Sequence, residues 1–487
     1  MRLAAIDLGS NSFRLEIARV EKEVIISEGS WKETVRLAGG IDSEGNLTEE
    51  AQERALKALA RIAEKIEGFP RSQIRAVGTQ TLRSAKNSRE FIEKAERVLG
   101  CKIEILRGKE EARLVYEGCS FALPQSDKKR LIVDIGGAST ECVIGHVKDV
   151  LEADSFHIGC VNTSVAFFKN GIITPTMMQK AQLSAEAEFD SSIEKFFRCG
   201  WQEAFGSSGT ASAVSLILHD QGWTDGTITL EALLKLKYAM LEFGNTSSFK
   251  FVGMKDDRRE VLAGGVCVLL AIFNKFKLKS MKLADGALRY GILYDLAGRK
   301  LDKDPRAASV HSLMLRMHVD EEQASRVAKV AEKLYKKIEP SVSPEELKEL
   351  AWAADLHEIG LSLSRSDYHK HSEYLIRNSD IPGFSRSEQE KLAAIVLAHR
   401  GNLKKVASFL ADRSIAEKIL ALRLAVILCH AKIDTDLPPI QLFSGADGFM
   451  MSIPKNWLTE HPLTEYLLGQ EKEIWAKVGI KFEIYTR

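Results

Sequence analysis

Residues 4–14 read AAIDLGSNSFR and residues 131–141 read LIVDIGGASTE, and these two stretches decide the fold. Each opens as an apolar run of strand length and reaches an aspartate, Asp7 or Asp134, where the strand ends. Glycine and hydroxyl or amide side chains follow. Glycine lets the chain turn sharply and brings backbone N–H groups close to an anion. The aspartate is placed to hold a metal ion, or its water, against phosphate oxygens. One D-x-G turn carries little information, and an ordinary strand–turn–strand hairpin accounts for either copy alone. The repetition points to two halves of one phosphate clamp.

A chain of 487 residues is too long for a single core and predicts roughly two to four domains. Hydrophobic content of 45% and charged content of 28% are those of a globular, soluble protein. Lys plus Arg number 68 against 67 for Asp plus Glu, so no global field recruits nucleic acid or an anionic membrane. An anionic substrate has to be met by local positive charge. The first apolar stretch is broken at Asp7 and the run 261–273 is too short to span a bilayer, so neither a signal peptide nor a membrane span is expected. Seven cysteines without a C-x-x-C pair predict reduced thiols and a cytoplasmic location.

The first 125 residues alternate strand and helix signals. Residues 47–69 have helical spacing, with Thr48 as N-cap and Gly68 as a stop. In IRAVGTQTLRSAKN (74–87) a strand runs into Gly78 and Thr79, where Thr79, Thr81 and Arg83 are placed to meet an anion. Arg83 reads equally well as a solvated arginine at a helix start. In GKEEARLVYEG (108–118), Leu114, Val115 and Cys119 form an inward face, and Glu110 and Glu111 fall in the first helical turn. Carboxylates there are usually explained by the helix dipole alone. From 126 to about 300 the plan repeats, with strands through 145 and over 150–155 and helix over 174–197. EAFGSSGTASAV (203–214) and MKLADGALRYGILYDL (281–296) each read as strand, glycine turn and helix. Alternation of this kind predicts α/β architecture with ligands beyond the strand ends.

Beyond a charged linker at 302–306 the pattern is helical, with runs at 321–338, 345–356, 388–399 and 415–431. Most of the 11 histidines lie here, in LHEIG, YHKHS and LAHRG among others, beside helices as in metal-dependent helical hydrolases. The spacing is not that of a zinc finger, and a structural or anion-binding role is preferred to a metal site. From 438 the tail predicts a small sheet with strands near 441–443, 448–453 and 481–485. The domains are set at 1–125, 126–300, 301–435 and 436–487.

DLGSNSFR, GTQTLR, GKEEARL, DIGGASTE, GSSGT and DGALR occur in the order seen in the exopolyphosphatase and guanosine pentaphosphate phosphohydrolase (Ppx/GppA) family, and the chain resembles that family throughout its length. LHEIG, HKHS and NSDIPGFS resemble the HD-like helical region of its longer members. The resemblance implies two actin-like (RNase H-like, ASKHA) α/β subdomains, a mainly helical HD-like domain and a small terminal α+β part. It implies Glu111 as the base acting on the attacking water, and Asp134 and Glu141 as ligands of Mg²⁺ or another divalent cation. Asp7, Ser10, Asn11, Gly136, Gly137, Ser139 and Thr140 would line the phosphate loops, and Thr79, Arg83, Gly209 and Thr210 would complete the anion pocket. A glutamate in a first helical turn is expected to ionise readily. A homodimer is implied in the same way.

The chain departs from the family pattern twice. Ala138 stands where a third glycine is common, and His357-Glu358 replaces the His-Asp of an HD metal site. The helical domain is therefore read as an extension of the substrate channel, with Lys370, His371, His399, Arg400, Lys404 and Lys405 as candidates for holding a polyanion. The leading expectation is removal of terminal phosphate from inorganic polyphosphate. The alternative is the same chemistry on guanosine pentaphosphate (pppGpp), giving ppGpp: HRG after His399 favours the first, GGAST and WLTEHPL (457–463) the second. An actin- or Hsp70-like ATPase switch shares the clamp but leaves GKEEARL without a purpose. For a sugar kinase, no sugar-binding constellation stands out.

Overall fold

The apolar runs before Asp7 and Asp134 form central strands buried on both faces, which is why they read as continuous rather than alternating. In the computed structural model, which describes residues 1–21, 24–124, 126–300, 304–434, 436–445 and 447–486, β1 (Arg2–Leu8), β2 (Ser12–Glu21), β3 (Val24–Thr34), β4 (Ile74–Gly78) and β5 (Ile103–Ile105) form one sheet, in the order β3-β2-β1-β4-β5. A second sheet contains β6 (Lys129–Ile135), β7 (Thr140–His146), β8 (Asp149–Phe156), β9 (Glu203–Ser207), β10 (Ile228–Thr229) and β11 (Ser280–Leu283), in the order β10-β11-β9-β6-β7-β8. β1 and β6 are equivalent: each is antiparallel to the strand after it and parallel to a later one, β4 or β9. The repeat expected from the sequence is thus present in the topology.

Odd and even residues of the central strands serve different cores, as the pleat dictates. Ala4 and Ile6 pack outward with the helices Glu49–Lys65 and Ser88–Leu99, and Leu131, Val133 and Ile135 pack outward with the wholly buried stretch of Leu262–Lys275. Leu3 and Ala5 share an inner core with Ile132, Val143 and Phe205, completed by the helices Gly108–Ala122 and Ala287–Lys300. Those two helices cross closely. A Cβ on Gly291 would sit 1.8 Å from the Leu114 carbonyl oxygen, and one on Gly118 would sit 2.1 Å from that of Ala287, so both contacts require glycine. Beside the crossing, the fully buried Asp295 accepts from Arg75 (2.5 Å), Arg113 (2.6 Å) and Arg299 (2.7 Å).

Capping sets the helix starts. Thr48 caps Glu49–Lys65 through the Ala51 N–H as expected, and Ser343 and Ser385 form capping boxes with Glu346 and Glu388. Contacts divide the chain into two units, Met1–Asp304 and Pro305–Arg487. Residues 302 and 303 of the expected linker, and the boundary positions 125 and 435, lie outside the described residues. The second unit contains helices Glu321–Ile338, Pro344–Leu356, Tyr368–Asn378, Arg386–Ala398 and Arg413–Leu428, and a sheet of β12 (Gln441–Gly445), β13 (Gly448–Ile453) and β14 (Lys481–Thr486). Phe449, Met451 and Trp475 join the same core as Leu420 and Leu424. Among the described residues, no helix is long and apolar enough to cross a membrane.

Candidate active site

Strand register builds the site first. Asp7 lies directly opposite Arg14 in the first hairpin, and Asp134 lies directly opposite Glu141 in the second, so each pair shares a face at the end of its sheet. The two hairpin turns touch. A Cβ on Gly137 would lie 3.1 Å from the Asn11 nitrogen and 3.1 Å from the Ser10 Cβ, so the loops meet here at the limit of close contact. The second turn is braced by the Gly136 N–H donating to the Ser139 carbonyl and by the Cys160 and Val161 N–H groups donating to the carbonyls of Gly136 and Gly137. Thr81 Oγ1 donates to Ser10 Oγ (2.7 Å) and fixes the first.

A cavity of about 90 Å³ between the turns is lined by Asp7, Ser10, Asn11, Thr79, Glu111, Asp134, Gly136, Gly137, Ser139, Glu141 and Gly209. These residues were expected at the site, and the fold brings them together. Three others are placed differently. Thr140 Oγ1 donates to the Ile158 carbonyl (2.6 Å) and Thr210 Oγ1 to the Ile135 carbonyl (3.2 Å), so both brace loops and do not line the cavity. Arg83 donates to the Leu106 carbonyl (2.6 Å), to Gln80 Oε1 and to Glu111 Oε2 (3.2 Å). It is committed to the glutamate and is not aimed at an anion.

The neighbouring glutamates have separate fates. Glu110 makes two 2.9 Å bonds with Arg113 and belongs to the buried charge network around Asp295. Glu111 points into the cavity. Burial pushes its carboxyl up to about 7; Arg83 opposes the rise, and Asp7 and Asp134 add to it. The expectation that the helix dipole makes Glu111 ionise readily is therefore corrected, because desolvation outweighs it. Burial likewise raises Asp7 to about 6 against Arg14 and Arg289, raises Asp134 despite the neighbouring serines and Arg14, and lifts Glu141 well above the carboxylate range with Glu111 and Asp134 adding to it.

A cation relieves such crowding. Asp7 Oδ1 and Asp134 Oδ1 are buried without a hydrogen-bond partner, and hard carboxylate oxygens in this state fit Mg²⁺. Among the described residues no three His, Cys, Asp or Glu side chains form a ready-made metal cage.

Sequence reasoning missed the basic half of the site. Arg14 and Arg258 also line the first cavity. A second cavity, about 360 Å³, shares Asp7, Arg14, Gly209 and Arg258 with it and adds Lys32, Lys255 and Arg289. Burial, then the neighbouring Arg289, lowers the Arg14 pKa, while Asp7 opposes the shift. Arg258 lies against Gly209, where a Cβ would meet its Nη2 at 1.9 Å. Arg14 was detectable: it is seven residues after Asp7, as Glu141 is after Asp134. Arg258, in a DDRR run, carries no such signal.

In the second unit His399 is only 3% exposed, its Nδ1 meets the Val396 carbonyl, and its ring meets that of His357 edge-on at 5.3 Å between centroids. Burial, then His357, holds its pKa well below the usual histidine value. His399 is thus a core histidine, which corrects its place among the polyanion candidates. Lys370 pairs with Asp367 (2.9 Å), Lys405 donates to the Arg400 carbonyl (2.7 Å), and the Arg400 guanidinium lies over Tyr368. Lys404 is exposed and His371 is half-buried.

Comparison with known proteins agrees with this geometry. A model described as the Ppx/GppA phosphatase family matches residues 17–300, and one described as Ppx/GppA phosphatase, domain III, matches residues 306–472. The chain is 36% identical over 484 residues to a guanosine-5'-triphosphate,3'-diphosphate pyrophosphatase of Pseudoalteromonas translucida, covering 98% of this chain and 97% of the relative. Among solved structures, a Ppx/GppA family member from Aquifex aeolicus is 25% identical with a TM-score of 0.52, covering 62% of this chain and 98% of that one. An exopolyphosphatase from Cytophaga hutchinsonii shares the fold at 22% identity and a TM-score of 0.56, over 61% of this chain and 98% of that one. The two sheets are those of the actin-like plan.

Proposed function

We propose, from the premise that this chain belongs to the Ppx/GppA phosphatase family and hydrolyses phosphoanhydride bonds, that its principal substrate is guanosine pentaphosphate, with inorganic polyphosphate second. The order expected from the sequence is thereby reversed. The observation that carries the reading is the pair of contiguous cavities, one small and carboxylate-rich, one larger and basic. A nucleotide with phosphate groups at two ends of a ribose uses both, and the 36% identical relative is named for acting on one. Linear polyphosphate needs only a track of positive charge.

The terminal phosphoryl group sits against the two turns, where loop N–H groups, Ser10 and Ser139 donate to its oxygens. Asp134 and Glu141, with Asp7, would hold a divalent cation, which neutralises charge on the phosphoryl oxygens when bound. Glu111 takes a proton from the attacking water; a carboxyl titrating near 7 is matched to that task at neutral pH. Water oxygen bonds to the terminal phosphorus as the bond to the bridging oxygen breaks, giving orthophosphate and a chain one phosphate shorter. Arg83 holds Glu111 in place, and Arg14 and Arg258 meet the charge remaining on the leaving group.

Phosphate release with Mg²⁺ is compared for pppGpp and long-chain polyphosphate at matched concentrations. A kcat/KM about tenfold or more in favour of pppGpp, roughly 1.4 kcal/mol in the transition state, is the expected result. Preference for polyphosphate restores the other order. Release from neither ends the hydrolase reading and puts an ATPase-like switch first.

A further inference from the structure

Arg83 Nη1 reaches the proposed catalytic glutamate beside the Leu106 carbonyl, and the other two nitrogens of the guanidinium are held by a second side chain. Gln80, one helical turn earlier and 5% exposed, accepts from Arg83 Nε (3.1 Å) and Nη2 at its Oε1. A guanidinium has donors only, so this end of the Gln80 amide is its oxygen and the other end is its NH₂. That NH₂ lies 2.6 Å from Nδ1 of His157, which therefore accepts. His157 follows β8 in the other lobe, and its carbonyl accepts from Asn162 Nδ2, which also donates to the Ala138 carbonyl in the second phosphate turn. His157 thus links two sets of contacts, its carbonyl tied through Asn162 to the second phosphate turn and its ring tied through Gln80 and Arg83 to Glu111.

We propose that Gln80 is a positioning residue for the base: its amide, held by His157 of the opposite lobe, aims the Arg83 guanidinium at Glu111. The inference rests on the reading of Glu111 as the base. Without the Gln80 oxygen, two of the guanidinium nitrogens lose their acceptor, and Arg83, left with the Leu106 carbonyl as its one neutral anchor, is pulled toward the carboxylates of the cavity. Glu111 then loses the ion pair that fixes its rotamer, while the turns that bind phosphate are untouched. The consequence falls on kcat and spares KM.

The test measures kcat and KM for phosphate release from pppGpp in Gln80→Leu, Gln80→Glu, His157→Leu, Arg83→Leu and the double variant Gln80→Leu/Arg83→Leu. Gln80→Leu is expected to lower kcat by about 10- to 100-fold, as for a misplaced catalytic group, with KM within about twofold. Gln80→Glu keeps the acceptor and restores kcat to within about fivefold of wild type, whereas a mere packing role predicts no rescue by a buried charge. The double variant is expected to match Arg83→Leu alone, since residues acting as a unit are not additive. Wild-type kcat in Gln80→Leu, or losses that multiply in the double variant, overturn the proposal. If Gln80→Leu does not fold, exposed His157 carries the test. His157→Leu is expected to lower kcat about threefold by slackening the amide, and an unchanged kcat there overturns the proposal. Glu111→Gln separates the two readings: turnover retained in that variant removes the base itself, whereas a dead Glu111→Gln beside a wild-type Gln80→Leu removes only the present inference.

Discussion

Replacing Glu110 and Glu111 one at a time by glutamine tests whether two adjacent buried carboxylates do different work. Glu111→Gln keeps the side chain's shape and an oxygen for Arg83 but removes the base, so turnover is expected to fall by about 10²- to 10⁴-fold. Its effect on stability has the opposite sign. The folded-state pKa of Glu111 is raised, so its contribution is fully present below the unfolded value of 4.5 and is lost as pH rises through about 7. That rise costs the ionised enzyme about 3 kcal/mol above pH 7. Part is returned as the weakened bond to Arg83, leaving the variant about 1–3 kcal/mol more stable than wild type at pH 8, and no more stable at pH 4. Glu110→Gln breaks the paired 2.9 Å bonds to Arg113, which keeps Glu117 and Asp295. It is expected to cost about 2 kcal/mol at either pH while leaving kcat unchanged. Urea unfolding with EDTA, beside steady-state phosphate release with Mg²⁺, measures both. An inactive Glu110→Gln beside an active Glu111→Gln exchanges the roles, and a Glu111→Gln less stable than wild type at pH 8 refutes the burial argument.

Asp295→Asn leaves three arginines around an uncharged amide and is expected to cost about 3–5 kcal/mol, read as a lower urea midpoint. The Asp295 pKa is depressed despite burial by Arg75, Arg299 and Arg113, so its contribution is present above the unfolded value of 3.8 and is lost as pH falls through the lower folded value; the variant therefore closes the gap with wild type in acid. Arg258→Ala is expected to raise KM for pppGpp by about tenfold and to weaken its salt dependence, with a smaller effect on polyphosphate; equal effects on both substrates count against the second cavity as a nucleotide site. Replacing Arg400, Lys404 and Lys405 together is expected to weaken long polyphosphate chains more than short ones, and equal weakening argues against a channel in the helical unit.

The parts of the site that could be read from the sequence are those made within one hairpin. Asp7 with Arg14, and Asp134 with Glu141, meet through a register that local turn geometry sets, so the motif already contains the contact. The helix carrying Glu111 was legible for the same reason: its spacing and first turn are local properties. What the helix would do to the carboxyl was not legible. The dipole is read from position in the helix, whereas the burial that outweighs it is set by tertiary packing, and Asp7 and Asp134, whose charges add to the rise, arrive from other strands.

The same distinction explains Arg83, His399 and Arg258. GTQTLR names an arginine near an anion site, yet Gln80 and the Leu106 carbonyl, the latter 23 residues away, decide where it points. LAHRG suggests a cationic patch, but His399, the C-cap of helix Arg386–Ala398, is buried against the Val396 carbonyl while Arg400 stays at the surface. Arg258 enters the cavity because Gly209 leaves room for its guanidinium, a complementarity between two loops that neither sequence reveals by itself. The substrate distinction lies in this last class. Under the proposed function either substrate would present a terminal phosphoanhydride to the same two turns, so the local motifs would serve either one. What separates them is the chemistry around the rest of the ligand, and Arg258, Lys32 and Arg289 come to it from three separate parts of the chain. Substrate choice is therefore the property the motifs constrain least, and the one most sensitive to replacing Arg258.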